Sequence, residues 1–393
     1  MVLTNDQYIA LSKLEKWYRK YTHQIIEISG IIGTGVFDVV KEFLDNIGFD
    51  NREILYLSYD QKQVVEMGAN RYHTFFIDRF IYKYNRIVNF DSLPVLNSRS
   101  SHIEYIWEQT VRKKINPYYK IIIVFDSLLL NEKTITDLCS FGLPIILMKD
   151  PLLLPANDSY LYTRDSNIKL RELHPDLMKN PLVYFANKII RDEKLVPGNY
   201  DKVSIIQRKQ MNLYNLQYTN MIITMTEGMR KEVNKLYRRR ILKLESNINI
   251  PGERLIVYKN DYREEIVNED EENIKIYLHK GLVGKISRCY KHREVTKYLN
   301  MDFQPDFYHK PFEELMLDRH FLNNIHYNSK QEIPDKVNYF QYAYALTPYA
   351  ARINHWDSII MTTEFNDLND QELQRRLLYT GITRAKKNCL III

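Results

Sequence analysis

The residues best placed to do chemistry form a glycine-rich turn near the N-terminus. Residues 25–40 are I-I-E-I-S-G-I-I-G-T-G-V-F-D-V-V, an apolar strand followed by glycines and an apolar helix. This is the setting of the phosphate-binding motif G-x-x-x-x-G-K-[ST], with Gly30 and Gly35 as its two glycines. Val36, however, stands where a lysine reaches the β- and γ-phosphates, and Phe37 stands where a hydroxyl binds Mg²⁺. The backbone N–H groups can still form an anion-binding nest, but the charge and the metal ligand are lost.

Composition narrows the class of protein without naming its chemistry. A chain of 393 residues that is 45% hydrophobic can bury a full core and form two or three domains. Its net charge of +6 is compatible with a nucleic-acid partner but does not require one. The abundance of Tyr, Asn, Ile and Lys is typical of an AT-rich genome, which suits a viral or mobile-element source.

Cysteine, histidine and hydropathy patterns exclude several kinds of site. Cys139, Cys289 and Cys389 lie far apart without C-x-x-C spacing, which favours free thiols over a disulfide framework or a zinc site. The histidines form no H-x-x-x-H cluster, so no metal site is expected. No apolar run reaches about 18 residues, and the N-terminus is too polar for a signal peptide. We therefore expect a soluble, cytoplasmic protein with no membrane partner.

Short apolar runs alternate with helical segments in two parts of the chain, which is typical of parallel sheets covered on both faces. In the first part the expected strands are 24–29, 54–59, 120–126 and 144–150, and residues 82–118 interrupt the pattern as a small insertion. The second part has an expected strand at 221–226, a basic helix at 229–243, strands at 342–347, 358–363 and 389–393, and a helix at 371–379. Between the basic helix and the strand at 342–347, short strands at 254–260, 274–279 and 283–289 are separated by turn residues and predict a small β-barrel. The sequence thus predicts an α/β chain with a first domain at 1–200, a second at 201–249 plus 337–393, and an inserted barrel at 250–336.

Eight segments, in order along nearly the whole chain, resemble the motifs of a superfamily 1 DNA helicase, most closely the RecD/Dda-like branch. They are T-N-D-Q-Y-I-A at 4–10, the glycine-rich turn, H-T-F-F-I-D-R-F at 73–80, I-I-I-V-F-D-S at 121–127, K-D-P-L-L-L-P at 149–155, L-R-E-L-H-P at 170–175, A-L-T-P-Y-A-A-R-I at 345–353 and, as the closest match, L-Y-T-G-I-T-R-A-K-K at 378–387. The resemblance implies two RecA-like domains with an SH3-like barrel inserted in the second. It also implies a vestigial nucleotide site at Gln7, Gly30, Gly33, Thr34 and Gly35, and strand contacts at Thr74 and Arg79.

The departures from the family pattern concern the catalytic groups. In the family these positions hold a lysine, a hydroxyl and an aspartate for Mg²⁺, a glutamate, a glutamine and two arginines. Here they hold Val36, Phe37, Asp126, Ser127, Leu153, Pro175 and Arg384. Only Asp126 and Arg384 are retained, and loss of one such group costs about 10²- to 10³-fold in rate. We therefore expect no ATP hydrolysis, no catalytic residue beyond these two vestigial ones and no cofactor, with binding of ATP and Mg²⁺ as an open alternative.

Each of these residues has a plainer structural interpretation. The glycines could form an ordinary strand-to-helix turn, and Asp126 could cap or turn the chain. Arg384 could pack the last helix against its sheet, and Gln7 could be a solvated residue near a helix start.

A basic helix is the strongest candidate surface outside the nucleotide site. Its cations are Arg230, Lys231, Lys235, Arg238, Arg239, Arg240 and Lys243. Residues 231, 235, 238 and 239 have helical spacing and are expected on one face, where like charges would be relieved by a polyanion. A solvated face is the alternative. The aromatic stretch from His73 to Tyr84 could stack bases, although most of its rings suit a core.

The leading hypothesis is a pseudo-helicase that binds single-stranded nucleic acid in DNA replication, recombination or repair. The second is a protein-interaction module for a true helicase or for a replication or recombination factor, which the altered segment A-A-R-I at 350–353 favours. The third is an active helicase in which another lysine, such as Lys149, replaces the missing one.

Overall fold

The computed structural model describes residues 3–88, 105–156, 159, 161, 164–212, 215–216, 219–244, 249–267, 275–290, 298–323, 337–365 and 368–393. Among the helices of these residues, none is long and apolar enough to cross a membrane.

The first unit is built on a six-stranded sheet in which all neighbouring strands are parallel. Its strands and those of a hairpin are β1 Ile25–Gly30, β2 Ile54–Ser58, β3 Thr74–Phe76, β4 Tyr82–Val88, β5 Tyr105–Val111, β6 Ile121–Val124, β7 Ile145–Lys149 and β8 Ile168–Leu170. The helices up to residue 190 are α1 Asn5–Lys20, α2 Val36–Ile47, α3 Gln61–Ala69, α4 Ile77–Ile81, α5 Glu132–Cys139, α6 Pro175–Met178 and α7 Pro181–Ile190. The order in the sheet is β3-β2-β6-β7-β1-β8. Because β2, β6 and β7 are apolar along their length, both faces of the sheet are covered, and an apolar core lies on each face.

The antiparallel hairpin of β4 and β5 extends from this unit, within the span where the sequence predicts an insertion. Residues 89–104 of that span lie outside the described residues.

From residue 198 onward the chain forms a second parallel sheet and a β-rich insertion. The elements are β9 Gly198–Tyr200, β10 Val203–Ile206, β11 Met221–Ile223, α8 Glu227–Leu236, β12 Arg254–Val257, β13 Asp261–Val267, β14 Lys275–Leu278, β15 Val283–Cys289, β16 Tyr298–Pro305, β17 Phe312–Asp318, α9 Arg319–Leu322, β18 Val337–Asn338, β19 Phe340–Tyr342, β20 Ala345–Leu346, α10 Pro348–Ala351, β21 Trp356–Thr362, α11 Gln371–Ile382 and β22 Ala385–Ile392.

The second sheet has the order β20-β11-β21-β22-β10-β9, and only its edge strand β9 runs antiparallel. Helix α7 packs on this sheet, with Leu182, Phe185 and Ile189 in its core. Both β9 and α7 lie within residues 1–200, the span predicted for the first domain, but they pack with the second sheet.

The inserted strands form a six-stranded sheet of order β18-β17-β16-β15-β12-β19 and a separate two-stranded sheet, β13-β14. The two sheets share an apolar core that includes Leu255, Ile276, Phe303 and Phe340. An α/β chain with two RecA-like parallel sheets and a β-rich insertion in the second is therefore confirmed, whereas the residue limits of the domains stay a prediction.

One expected strand, 342–347, is divided between two sheets. Its first residue ends β19 in the inserted sheet, and β20 begins only at Ala345 in the second parallel sheet. The buried side chain of Asn234 causes the break. Its Oδ1 accepts hydrogen bonds from the Tyr344 and Ala345 N–H groups at 2.8 and 3.1 Å. These backbone groups therefore bond to α8 instead of to a strand.

Candidate nucleotide cleft and nucleic-acid groove

The glycine-rich turn is held by the protein's own polar groups. Thr34 closes it, because its N–H and its Oγ1 both donate to the Ile31 carbonyl, at 3.1 and 2.7 Å. Gln7 is fully buried beneath it: Nε2 donates to the Thr34 carbonyl and Oε1 accepts from the Thr4 N–H, each at 2.8 Å. The side-chain amide of Gln7 thus joins α1 to the turn, and the solvated interpretation of this residue is wrong.

Side chains fill the space around the turn. A Cβ placed on Gly30 would lie 2.2 Å from Thr34 Oγ1 and 2.8 Å from Val36 Cγ2. Gly33 has a φ of +96°, and its Cβ would lie 2.8 Å from Val183 Cγ1 on α7. The turn is therefore packed from inside by its own residues and from outside by α7.

The backbone groups of the turn also have protein partners. The Ile32 N–H donates to the Tyr379 hydroxyl at 2.8 Å, and the Ile32 carbonyl accepts from Asn187 Nδ2 at 3.1 Å. The Gly33 carbonyl accepts from the His174 N–H at 2.7 Å. In a phosphate cradle the N–H groups would point at the anion.

The five positions that lack the family's catalytic groups have structural contacts here. Val36 packs against the core between α1 and the first sheet, and Leu153 contacts the cores of both units. The half-exposed Phe37 ring lies 5.5 Å from that of Phe125, and Pro175 opens α6. Ser127 is fully buried, and its Oγ has no hydrogen-bond partner among the described residues.

The two retained residues, Asp126 and Arg384, lie in the cleft between the sheets. Asp126 has a φ of +48° and accepts through its carbonyl from the Leu129 N–H, so it starts a turn. Arg384 is buried and donates to the Arg352 carbonyl and to Thr383 Oγ1. Burial raises the pKa of Asp126, and the Arg384 guanidinium opposes that rise.

Further charged groups share this cleft. Burial raises the pKa of Asp150 to about 6, and a hydrogen bond from Tyr379 opposes the shift. Burial would also raise the pKa of Asp60, but His355 Nδ1, 3.1 Å away, holds it below its usual value. Burial lowers the pKa of His355.

The cavity left between Asp126, Asp150, Leu153 and Arg352 has a volume of about 10 Å³. That is about the smallest space that holds one water molecule. The glycine-rich turn lacks the ammonium and the hydroxyl of the family motif, and its Ile32 N–H is bonded to Tyr379.

Lys149, the residue expected to substitute for the missing lysine, is bound elsewhere. Its buried Nζ lies 3.2 Å from Glu27 Oε2 and donates to the Leu161 and Arg164 carbonyls at 3.0 and 2.7 Å. These three partners account for the three donors of an ammonium group.

A concave groove of about 550 Å³ is lined by β3, α4, the base of the hairpin and β14. We call it the basic groove. Its cations are Arg79, Lys83, Arg112, Lys114 and Lys275, and its rings are Phe75, Phe76, Phe80, Tyr82, Tyr119 and Tyr277.

Thr74 and Arg79, the two residues of the 73–80 motif that the sequence predicts to contact a nucleic-acid strand, both line the basic groove. Thr74 is buried, and its Oγ1 has no hydrogen-bond partner among the described residues. The Arg79 guanidinium lies 4.6 Å from the centre of the Tyr277 ring and 3.7 Å from Glu265 Oε2. The groove cations outside this motif were missed, because they come from segments far apart in sequence and only the fold brings them together.

The basic helix is only partly an exposed cationic surface. Lys231, Lys235, Arg239 and Arg240 are exposed. Arg238, by contrast, is buried, with its Nε 2.6 Å from Glu253 Oε1 and its guanidinium over the Tyr342 ring. Arg230 is also buried and pairs with Glu227. The expectation that these two arginines contact nucleic acid is corrected, because both are desolvated and paired within the protein.

Comparison with known proteins bears on the C-terminal part of the chain. Residues 342–392 match the model of the UvrD-like helicase C-terminal domain. No curated protein matches the chain in sequence.

Solved structures with some likeness to the whole chain include two Pif1 helicases. One is from Bacteroides, in complex with ADP-AlF3 and ssDNA; it is 11% identical with a TM-score of 0.46, over 100% of this chain and 92% of that chain. The other is from Candida albicans, 9% identical with a TM-score of 0.42, over 100% of this chain and 94% of that chain. Because both TM-scores are below 0.5, the fold is established by the strand orders above and not by these similarities. The UvrD-like match, which covers the last strands of the second parallel sheet, supports a superfamily 1 helicase architecture.

Proposed function

We propose that this chain is a helicase-like protein that binds single-stranded nucleic acid without hydrolysing ATP, and that it acts in DNA replication, recombination or repair. We propose the RecD/Dda-like branch for it, because that is the branch its sequence motifs resemble most. The observation that carries the proposal is the basic groove, which combines cations with aromatic rings.

This combination suits a single strand more than a duplex. Lysine and arginine neutralise phosphates, and an accessible aromatic ring can stack on bases that only a single strand exposes. Of the six groove rings, Phe75 is partly exposed and the other five are buried in the groove wall, so Phe75 is the ring available for stacking. Lys83 and Lys114 are exposed on the hairpin side of the groove, and Lys275 lies on the side of the insertion. A strand in the groove would therefore touch the first unit and the insertion together.

We propose the absence of ATP hydrolysis because of the residues that occupy the cleft. Five of the seven family positions lack their catalytic group, and Lys149 is held by Glu27 and two carbonyls. Without a charge on the phosphates and a base for water, the transition state for phosphoryl transfer has little to stabilise it.

The test is fluorescence anisotropy of labelled single-stranded DNA at several salt concentrations, with and without Mg-ATP. We expect binding that weakens with salt and does not respond to ATP. The double variant Lys83→Ala/Lys114→Ala should lower the slope of log affinity against log salt by about 1.4, since each phosphate contact on a single strand contributes about 0.7. Lys113→Ala is the matched control, because Lys113 is an exposed neighbour of Lys114 that does not line the groove.

Three results would count against the proposal. ATP hydrolysis stimulated by single-stranded DNA would favour the active helicase. No binding at low salt would favour the protein-interaction module. An equal loss of slope in Lys113→Ala would mean that general surface charge, and not the groove, binds the strand.

A further inference from the structure

Tyr379 lies where the two parallel sheets meet. It is on α11 of the second unit, is only 1% exposed, and its hydroxyl accepts the Ile32 N–H of the first unit at 2.8 Å. The same hydroxyl donates to the Asp150 carboxylate, also in the first unit. A side-chain oxygen of the second unit is thus the acceptor for a backbone N–H of the glycine-rich turn.

The segment from Asp150 to Pro155 is bound to the second unit at three further points. The Leu154 N–H donates to Thr380 Oγ1 at 3.2 Å, and Arg376 Nη1 donates to the Pro151 carbonyl at 2.9 Å. Arg352 Nη1 donates to the Pro155 carbonyl at 2.6 Å. This segment of the first unit is therefore fixed by side chains of the opposite unit.

Apolar side chains cross the same boundary. Ile31, Ile32, Leu152 and Leu153 pack against the core of the second unit, and Leu154 is buried within it. An interface between domains permits relative motion unless it is large and hydrophobic. Here the hydrogen-bonded contacts are continuous with a hydrophobic core.

We infer that the cleft between the two parallel sheets is a permanent joint, in which the Tyr379 hydroxyl replaces a nucleotide phosphate and holds the units closed without any ligand. A nucleotide shifts a conformational equilibrium only as far as it binds one state better than the other. The contacts of Tyr379, Thr380, Arg376 and Arg352 named above already join the two units, so closure should need no nucleotide. The joint holds whether or not the basic groove binds nucleic acid.

The test measures the distance between the units. Spin labels are attached to Lys41→Cys in the first unit and Lys209→Cys in the second, both exposed, with the native cysteines replaced. Double electron–electron resonance should give one narrow distance distribution that is unchanged by Mg-ATP or Mg-ADP at millimolar concentration. A shift or narrowing on adding nucleotide would overturn the joint.

Two variants test the residues that form the joint. Tyr379→Phe keeps the ring and removes both hydrogen bonds, and Thr380→Val removes the acceptor for Leu154. Each should broaden the distance distribution and lower the melting temperature. Tyr349→Phe, at an exposed tyrosine of the second unit, should change neither. If Tyr379→Phe does not fold, the distance distributions of Thr380→Val and of the parent protein with nucleotide still test the joint. Folded variants whose distance distributions are identical to that of the parent would overturn the assignment to Tyr379 and Thr380. Loss of DNA binding alone would bear only on the proposed function.

Discussion

Asp150 is a carboxylate desolvated at the joint, and its pKa of about 6 lies above the ordinary value of 3.8. A raised folded-state pKa means that the folded protein favours the protonated form. The stabilisation is therefore complete below about pH 4 and is lost as pH rises through about 6. At neutral pH the ionised carboxylate costs stability.

We predict that Asp150→Asn is more stable than the parent at pH 7.5, by about 1–3 kcal/mol, because Asn keeps an acceptor for Tyr379 and carries no charge. The difference should shrink towards zero at pH 4. Urea unfolding at pH 4, 5, 6 and 7.5 measures it, with Asp45→Asn at an exposed position as the control. A variant less stable than the parent at pH 7.5 would contradict the prediction.

Lys149 and Glu27 are a buried ion pair in the first sheet. Lys149→Met would leave the Glu27 carboxylate buried without its cation, which typically costs about 3–5 kcal/mol. The double variant Glu27→Leu/Lys149→Met removes both charges and should recover part of that loss in urea unfolding. If Lys149→Met instead leaves stability unchanged and abolishes measurable nucleotide binding, Lys149 binds the nucleotide. That result would favour the active-helicase alternative.

At the scale of elements, the glycine-rich turn differs from a working cradle in more than two side chains. We predict that Val36→Lys/Phe37→Thr, which restores the sequence motif, does not create ATPase activity. The Ile32 N–H stays with Tyr379, and Ser127 and Leu153 still supply no base and no phosphate sensor. Phosphate release from ATP by this double variant, measured with single-stranded DNA, should stay at the buffer background. A rate above that of the parent would show that the two lost side chains of the turn alone prevent ATP hydrolysis.

The strands were largely predictable because most are continuous apolar runs. Residues 24–29 were expected and Ile25–Gly30 is observed; 283–289 agrees with β15 at both ends. Prediction failed where a side chain from elsewhere competes for the backbone, as Asn234 does between β19 and β20. The prediction that residues 231, 235, 238 and 239 of the basic helix share one exposed face also failed. Its chain becomes π-helical at Tyr237–Ile241, and Arg238 turns inward to Glu253, a partner that helical spacing does not reveal.

At the scale of the whole molecule, the sites depend on contacts between distant segments. The motif at 73–80 contributed Thr74 and Arg79 to the basic groove, but Lys114 and Lys275 come from the hairpin and the insertion. Similarly, Tyr379 lies inside the closest family match, yet nothing in its neighbours indicates that its hydroxyl bonds to the Ile32 N–H. Sequence located the cleft and its lost groups, and the fold was needed to find what fills it.

Gln61 on α3 joins the first unit to the insertion and so positions one wall of the basic groove. Its buried side-chain amide makes a pair of hydrogen bonds with the Tyr277 backbone: Nε2 donates to the carbonyl at 3.2 Å, and Oε1 accepts from the N–H at 3.0 Å. Gln61→Ala would leave both backbone groups of Tyr277 without this partner in a buried contact, which typically costs about 1–3 kcal/mol.

Gln61→Ala therefore separates the geometry of the groove from its charge. We predict weaker binding of single-stranded DNA with an unchanged salt slope, because the Tyr277 ring is displaced while every groove cation remains. Lys83→Ala/Lys114→Ala should lower the slope, and Asn46→Ala, at an exposed amide of the same unit, should alter neither quantity. Anisotropy across a salt series distinguishes these outcomes. A lowered salt slope in Gln61→Ala would contradict this prediction. It would mean that the contact between α3 and β14 positions the groove cations as well as the Tyr277 ring, because phosphate contacts would then be lost with it.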